Sequence, residues 1–131
     1  MTDPRRVELV RRVHEAFNRG DTETMLSLID PECQIRDLGR TGGTFRGHDG
    51  LLKFLEEWME IWDSYRVEVE EYRETDELIV ALLMQTGRGT GSGIEVRQPM
   101  TQLLWVRDGK VAELEIYTDR AEALRAAGLD A

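Results

Sequence analysis

The 131-residue chain carries 26 acidic against 17 basic side chains, a net charge of −9 that argues against nucleic acid and anionic membranes as partners. Its 40% hydrophobic and 33% charged residues are the balance of a globular protein, and its length suits one domain over 1–131. Cys33 is the single cysteine, so no intrachain disulfide can form; MTDPRR has no signal-peptide character and no apolar run reaches membrane-spanning length, so a soluble cytoplasmic protein is expected.

Pro4 to Asn18 reads as a helix, because Val7, Val10, Val13 and Phe17 recur at spacings of three and four and Gly20 stands just past its end. Asp21 is positioned to cap a shorter helix, Thr22 to Ile29, with Met25, Leu26 and Ile29 inward; Pro31 prevents its continuation. Cys33 to Asp37 predicts a short strand with Cys33, Ile35 and Asp37 on one face. The four glycines between Leu38 and Gly47 predict a loop. Asp49 to Trp62 predicts a long helix whose wide apolar face includes Leu51, Phe54, Leu55, Trp58 and Trp62.

Arg66 to Thr75 alternates as a strand with one solvated face, and Leu78 to Thr86 is apolar enough to be covered on both sides. The glycine-rich stretch 87–93, GRGTGSG, lacks the Gly-Lys-Ser/Thr ending of a phosphate loop and is expected at a cavity rim. Ile94 to Arg107 is a strand that turns back at Asp108-Gly109, the strongest hairpin signal a sequence carries. Straight pairing sets Arg107 opposite Lys110, Trp105 opposite Ala112, Leu103 opposite Leu114 and Thr101 opposite Ile116. The inner face would then hold Thr101, Leu103, Trp105, Ala112, Leu114, Ile116 and Thr118. The outer face would hold Met100, Gln102, Leu104, Val106, Val111, Glu113, Glu115 and Tyr117. Asp119 caps a closing helix, with Glu122 as capping-box partner and Gly128 at its end. Strands concentrated after helices indicate an α+β fold, a strongly twisted antiparallel sheet wrapped around the helix Asp49 to Trp62.

Three segments carry a resemblance: AFNRGDTETMLSLIDPECQIRD, FRGHDGLLKFLEEW and LLWVRDGKVAELEIYTDRAEALRAAGL. They resemble the SnoaL-like branch of the nuclear-transport-factor-two-like superfamily, over nearly the whole chain. The resemblance implies a cone-shaped α+β barrel with an apolar cavity open at one end. That fold hosts polyketide cyclases, ketosteroid isomerases, epoxide hydrolases, dehydratases and non-enzymatic binders. It also implies that Asp37 stands where ketosteroid isomerases keep their general base. Their two oxyanion donors fall on Val13 and Thr101, departures that count against 3-ketosteroid isomerisation. Asp37, Arg88 and Asp119 match the residue types of the epoxide-hydrolase pattern, but the spacing does not show that they meet.

An inward carboxylate at Asp37 can act as acid or base; its structural alternative is a loop-capping Asp at a strand end. Trp58, Trp62, Tyr65, Thr101, Leu103, Trp105 and His14 are candidates for binding a hydrophobic ligand, set against plain core packing. His14 and His48 lack the spacing of a metal site, so neither a metal nor a cofactor is expected. Two functions follow. One is a cofactor-independent enzyme acting on a polyketide-, steroid- or terpenoid-like substrate by proton transfer, as cyclase, isomerase, dehydratase or hydrolase. The other is a non-catalytic binding protein for a small hydrophobic ligand. A homodimer through the outer sheet face is expected, because Met100, Leu104, Val106, Val111 and Tyr117 would otherwise be exposed together.

Overall fold

The computed structural model describes residues 3–39 and 42–129. Among these the elements run α1 (Pro4–Arg19), α2 (Thr22–Ser27), β1 (Ile29–Asp37), β2 (Thr44–Arg46), α3 (Gly47–Met59), β3 (Trp62–Glu74), β4 (Ile79–Gly89), β5 (Glu95–Arg107), β6 (Lys110–Tyr117) and α4 (Arg120–Ala126). The strands form one sheet in the order β2-β1-β6-β5-β4-β3, antiparallel except where β1 runs parallel to β6. The fold is α+β as expected. The sheet is curled but not closed, so β2 and β3 remain edges where a full barrel would have none.

Helix α1 starts where Asp3 accepts a hydrogen bond from the Arg5 N–H at 3.0 Å and Pro4 presets the first turn. It buries Leu9, Val10, Val13, His14 and Ala16 against the concave side of the sheet. Asn18, in its last turn, donates to the Val67 carbonyl at 2.8 Å and accepts from the Val67 N–H at 3.0 Å. One side chain thus imitates a neighbouring strand and closes part of the open β3 edge. Helix α3 lies on the same side, held at its start by His48 Nε2, which donates to the Ile29 carbonyl at 2.8 Å. The convex side carries a second cluster: Val80, Leu82, Leu103 and Tyr117 beneath Ala123 and Leu124 of α4.

Several sequence expectations shift. Helix α3 ends at Met59, and Trp62 opens β3 instead of closing the helix. Its indole lies over Gly87, where an added Cβ would come within 2.6 Å of the ring, so the first part of GRGTGSG is strand that receives a tryptophan. None of residues 87–93 lines the cavity described below, so the stretch is not a cavity-rim loop. Strand β2 lies inside the expected glycine loop; its three residues pair with Gln34, Ile35 and Arg36 but are too few to show a period. Helix α2 stops at Ser27, and Ile29 already pairs with Val111.

Two bulges matter more. In β3 the register shifts between Val69 and Glu71, which turns Tyr72 onto the α1 side. In the final hairpin the turn forms as expected, with Asp108 at φ 53° and Gly109 at φ 75°, and Arg107 faces Lys110. A shift between Trp105 and Val106 then pairs Val106 with Val111 but Trp105 with Glu113, leaving Ala112 as the extra residue. A one-residue slip exchanges the faces of one strand relative to the other. Leu104 therefore pairs with Leu114, Gln102 with Ile116 and Thr101 with Tyr117. Thr101, Leu103 and Trp105 face α4, while Met100, Gln102 and Leu104 face the concave side. The apolar outer patch expected to drive dimerisation does not exist as drawn: Met100, Leu104 and Val111 point inward, and α4 covers Leu103 and Tyr117.

Candidate active site

A partly open cavity of about 120 Å³ lies between the concave face and helices α1 and α3. Apolar cavities of about 150 Å³ hold one benzene molecule, so this one has room for about one six-membered ring. Val13 and Phe17 of α1, Leu51, Phe54, Leu55 and Trp58 of α3, and Leu104, Leu114 and Ile116 of the last hairpin make most of its wall. The apolar face of α3 is therefore only half-buried, because it lines a space rather than a packed core. The polar side chains in the wall are His14, Asp37, Tyr65, Gln85, Gln102 and Thr118.

Asp37 is 2% exposed, at the end of β1, where alternation with Cys33 and Ile35 turns it inward. Its Oδ1 accepts the Gly39 N–H at 3.2 Å, and its own N–H donates to the Gly43 carbonyl at 2.9 Å, so the turn that follows is built around it. The ladder places Asp37, Ile116, Gln102, Ala81 and Tyr72 side by side across β1, β6, β5, β4 and β3. Asp37 and Gln102 are thus one strand apart in register, about 10 Å between Cα atoms at two strand spacings.

His14 is 6% exposed and bridges two strands: Nδ1 lies 2.9 Å from Tyr72 Oη and Nε2 lies 2.7 Å from Gln102 Oε1. Burial pushes the imidazole below its ordinary value of 6.5, against a smaller opposing effect of the Gln102 hydrogen bond. Burial likewise pushes the Tyr72 phenol up to about 12. Tyr65, on β3, donates to Gln85 Oε1 at 2.7 Å. Its ring packs against Trp58 and Trp62 at centroid distances of 5.6 and 5.3 Å.

The structure brings together Asp37, His14, Trp58 and Tyr65 of the sequence candidates. Trp62 is not in the wall; it backs Trp58 and Tyr65 from behind. Thr101, Leu103 and Trp105 are on the opposite side of the sheet, moved there by the Ala112 bulge, and cannot line this cavity. Arg88 does not approach Asp37. It pairs with Glu95 at 2.9 Å and stands seven positions past Ala81, about 24 Å along β4. Asp119 accepts from the Glu122 N–H at 3.2 Å and caps α4. The two-aspartate, one-arginine arrangement is therefore not assembled. Sequence reasoning missed Gln85 and Gln102, and placed Thr118 on the inner face without singling it out for the site. The signal for Gln102 was the apolar requirement of α4, whose Ala123 and Leu124 need a platform to which β5 and β6 contribute Leu103 and Tyr117. Among the described residues no group of His, Cys, Asp and Glu could hold a metal ion, and no helix is long and apolar enough to cross a membrane.

The model of a SnoaL-like domain family matches residues 10–114, which include every wall residue but Ile116 and Thr118. This chain belongs to the SnoaL-like domain family. An uncharacterised protein of Mycobacterium tuberculosis is 29% identical over 126 residues, covering 92% of this chain and 95% of the relative. The crystal structure of an NTF2-like protein of unknown function from Burkholderia pseudomallei superposes with a TM-score of 0.80 at 24% identity, covering 95% of this chain and 97% of that one. TerC, co-crystallised with polyporic acid, matches with a TM-score of 0.79 at 21% identity over 95% of this chain and 97% of its own. These two structures share the SnoaL-like chain's fold.

Proposed function

We propose that this SnoaL-like chain is a small-molecule enzyme acting on a hydrophobic polyketide-, steroid- or terpenoid-like substrate by acid–base proton transfer. Asp37 takes a proton from a C–H or O–H acid, that of the substrate in a cyclase, isomerase or dehydratase and that of the attacking water in a hydrolase, and returns it elsewhere. The observation that carries the reading is a carboxylate 2% exposed in the wall of an apolar cavity, where core side chains are otherwise uncharged. The volume sets a size: one ring enters and a larger ligand extends through the mouth. TerC, whose fold is similar, has been co-crystallised with polyporic acid.

A thermal-shift series with hydrophobic ring ketones tests the cavity. The wild-type protein should be stabilised, and Leu114→Trp, which fills the space, should lose the stabilisation while still unfolding cooperatively. Equal shifts in both would place binding elsewhere.

A non-catalytic binding protein is the second reading. It is favoured by Val13, an aliphatic wall residue at the position where the resemblance puts an isomerase tyrosine. It predicts ligand-induced stabilisation without proton exchange on the ligand.

We further propose a homodimer through what α4 leaves open of the convex face, around Trp105, Glu113 and Glu115. Trp105 is half-buried there, and the remaining surface mixes apolar and charged groups as an interface rim does. Light scattering should give twice the 15.1 kDa chain mass, returning to the single value in Trp105→Glu. A wild-type mass of one chain would overturn it.

A further inference from the structure

Three side chains from three elements make a polar chain that the proposed function leaves unused: Tyr72 of β3, His14 of α1 and Gln102 of β5. His14 lines both the inner cavity and an outer groove shared with Arg11, Asn18 and Tyr72. A proton relay along this chain would stop at Gln102, since a neutral amide does not pass protons on. The chain is better suited to fixing an orientation.

The direction of the hydrogen bonds follows from the partners. An imidazole nitrogen is a stronger acceptor than a phenol oxygen, and a phenol is the better donor. Tyr72 Oη therefore donates to Nδ1 of His14, the proton resides on Nε2, and Nε2–H donates to Gln102 Oε1. Burial keeps the imidazole neutral and Tyr72 protonated, which this arrangement needs. With Oε1 committed, both N–H bonds of the amide are left for the cavity; among the described residues Gln102 makes its one side-chain hydrogen bond through Oε1. Gln102 stands in the wall, across Ile116 from Asp37.

We propose that Gln102 is a ligand-anchoring hydrogen-bond donor, held amide-inward by His14 as a positioning residue. The site then takes a ring-sized ligand with a carbonyl oxygen toward Gln102 and an acidic C–H or O–H toward Asp37. The Asp37 end rests on the proposed function; the Gln102 end does not. Side chains on one face of a sheet stand roughly side by side, so the two groups stay about 10 Å apart, a span that one six-membered ring and its oxygen fill with a contact at each end.

Cyclohexanone and methylenecyclohexane, which exchange an oxygen for a CH₂ at nearly constant shape, are the probes. Affinities are read by NMR titration on the whole chain. Gln102→Leu should lower the ketone-to-hydrocarbon affinity ratio about fivefold, the worth of one neutral hydrogen bond. A purely structural role for Gln102 would lower both affinities together. Nitrogen-15 spectra of His14 should show a protonated Nε2 and an acceptor Nδ1, and Tyr72→Phe should erode both that tautomer preference and the affinity ratio. Asp37→Asn should keep the ratio, so failure of the proton-transfer reading remains separate. An unchanged ratio in Gln102→Leu, a wild-type protein that does not bind cyclohexanone, or a protonated Nδ1 with an acceptor Nε2 would each overturn the proposal.

Discussion

Leu104 is the position at which the bulged hairpin register makes its largest energetic claim. Unshifted pairing would put it on the outer face. The Ala112 bulge instead pairs it with Leu114, 2% exposed, in the cavity wall. Leu104→Ala removes three buried carbons, about 2.4 kcal/mol of transfer free energy at roughly 0.8 kcal/mol each. Some further cost comes from lost packing, though the new void merges with an existing one, and about 3 kcal/mol in all is expected. That is a large share of the 5–15 kcal/mol typical of a small domain. With a urea slope of about 1.5 kcal/mol per molar, the unfolding midpoint should fall by about 2 M. Leu104→Glu, which buries a carboxylate among aliphatic groups, should not fold. A loss below about 1 kcal/mol in Leu104→Ala, or a folded Leu104→Glu, would refute the register and with it the composition of the cavity wall.

Asn18→Ala leaves the N–H and carbonyl of buried Val67 without their present partners and should cost about 2 kcal/mol, read from the same urea curves. His14 gives a pH signature. Its folded pKa lies below the ordinary value of 6.5, so the unfolded chain binds the extra proton first, and stability falls as pH drops below about 6.5 toward the folded pKa. Above 6.5 the group contributes no slope. His14→Gln should flatten the stability profile between about pH 6.5 and 5, before the carboxylates dominate, and an unchanged slope there would contradict a buried neutral imidazole.

Much of this was legible in the residues because it depends on local pattern. The α1 stripe, the inward face of Cys33, Ile35 and Asp37, the Asp108-Gly109 turn and the Asp119 cap are all visible in short windows. What failed is what a single extra residue decides. Ala112 carries no chemical mark of a bulge, yet it exchanges Gln102 and Leu104 for Thr101, Leu103 and Trp105 in the cavity wall. Both sets are apolar enough for a core, because α4 covers the second and needs it so. Trp62 was assigned to the wrong element for a similar reason: an apolar residue after an amphipathic helix continues its pattern whether or not the chain has already turned. Its place is set by a distant partner, Gly87, which leaves room for the indole.

The proposed function stands or falls on whether Asp37 moves protons on a ligand in the cavity. Deuterium incorporation at the α-carbons of cyclohexanone in D₂O, followed by NMR for wild-type protein and Asp37→Asn, tests it without knowledge of the natural substrate. Exchange should be catalysed by the wild type and reduced in Asp37→Asn by about 10²-fold or more, with ketone affinity and unfolding midpoint nearly unchanged. Wild-type exchange rates in Asp37→Asn would contradict it.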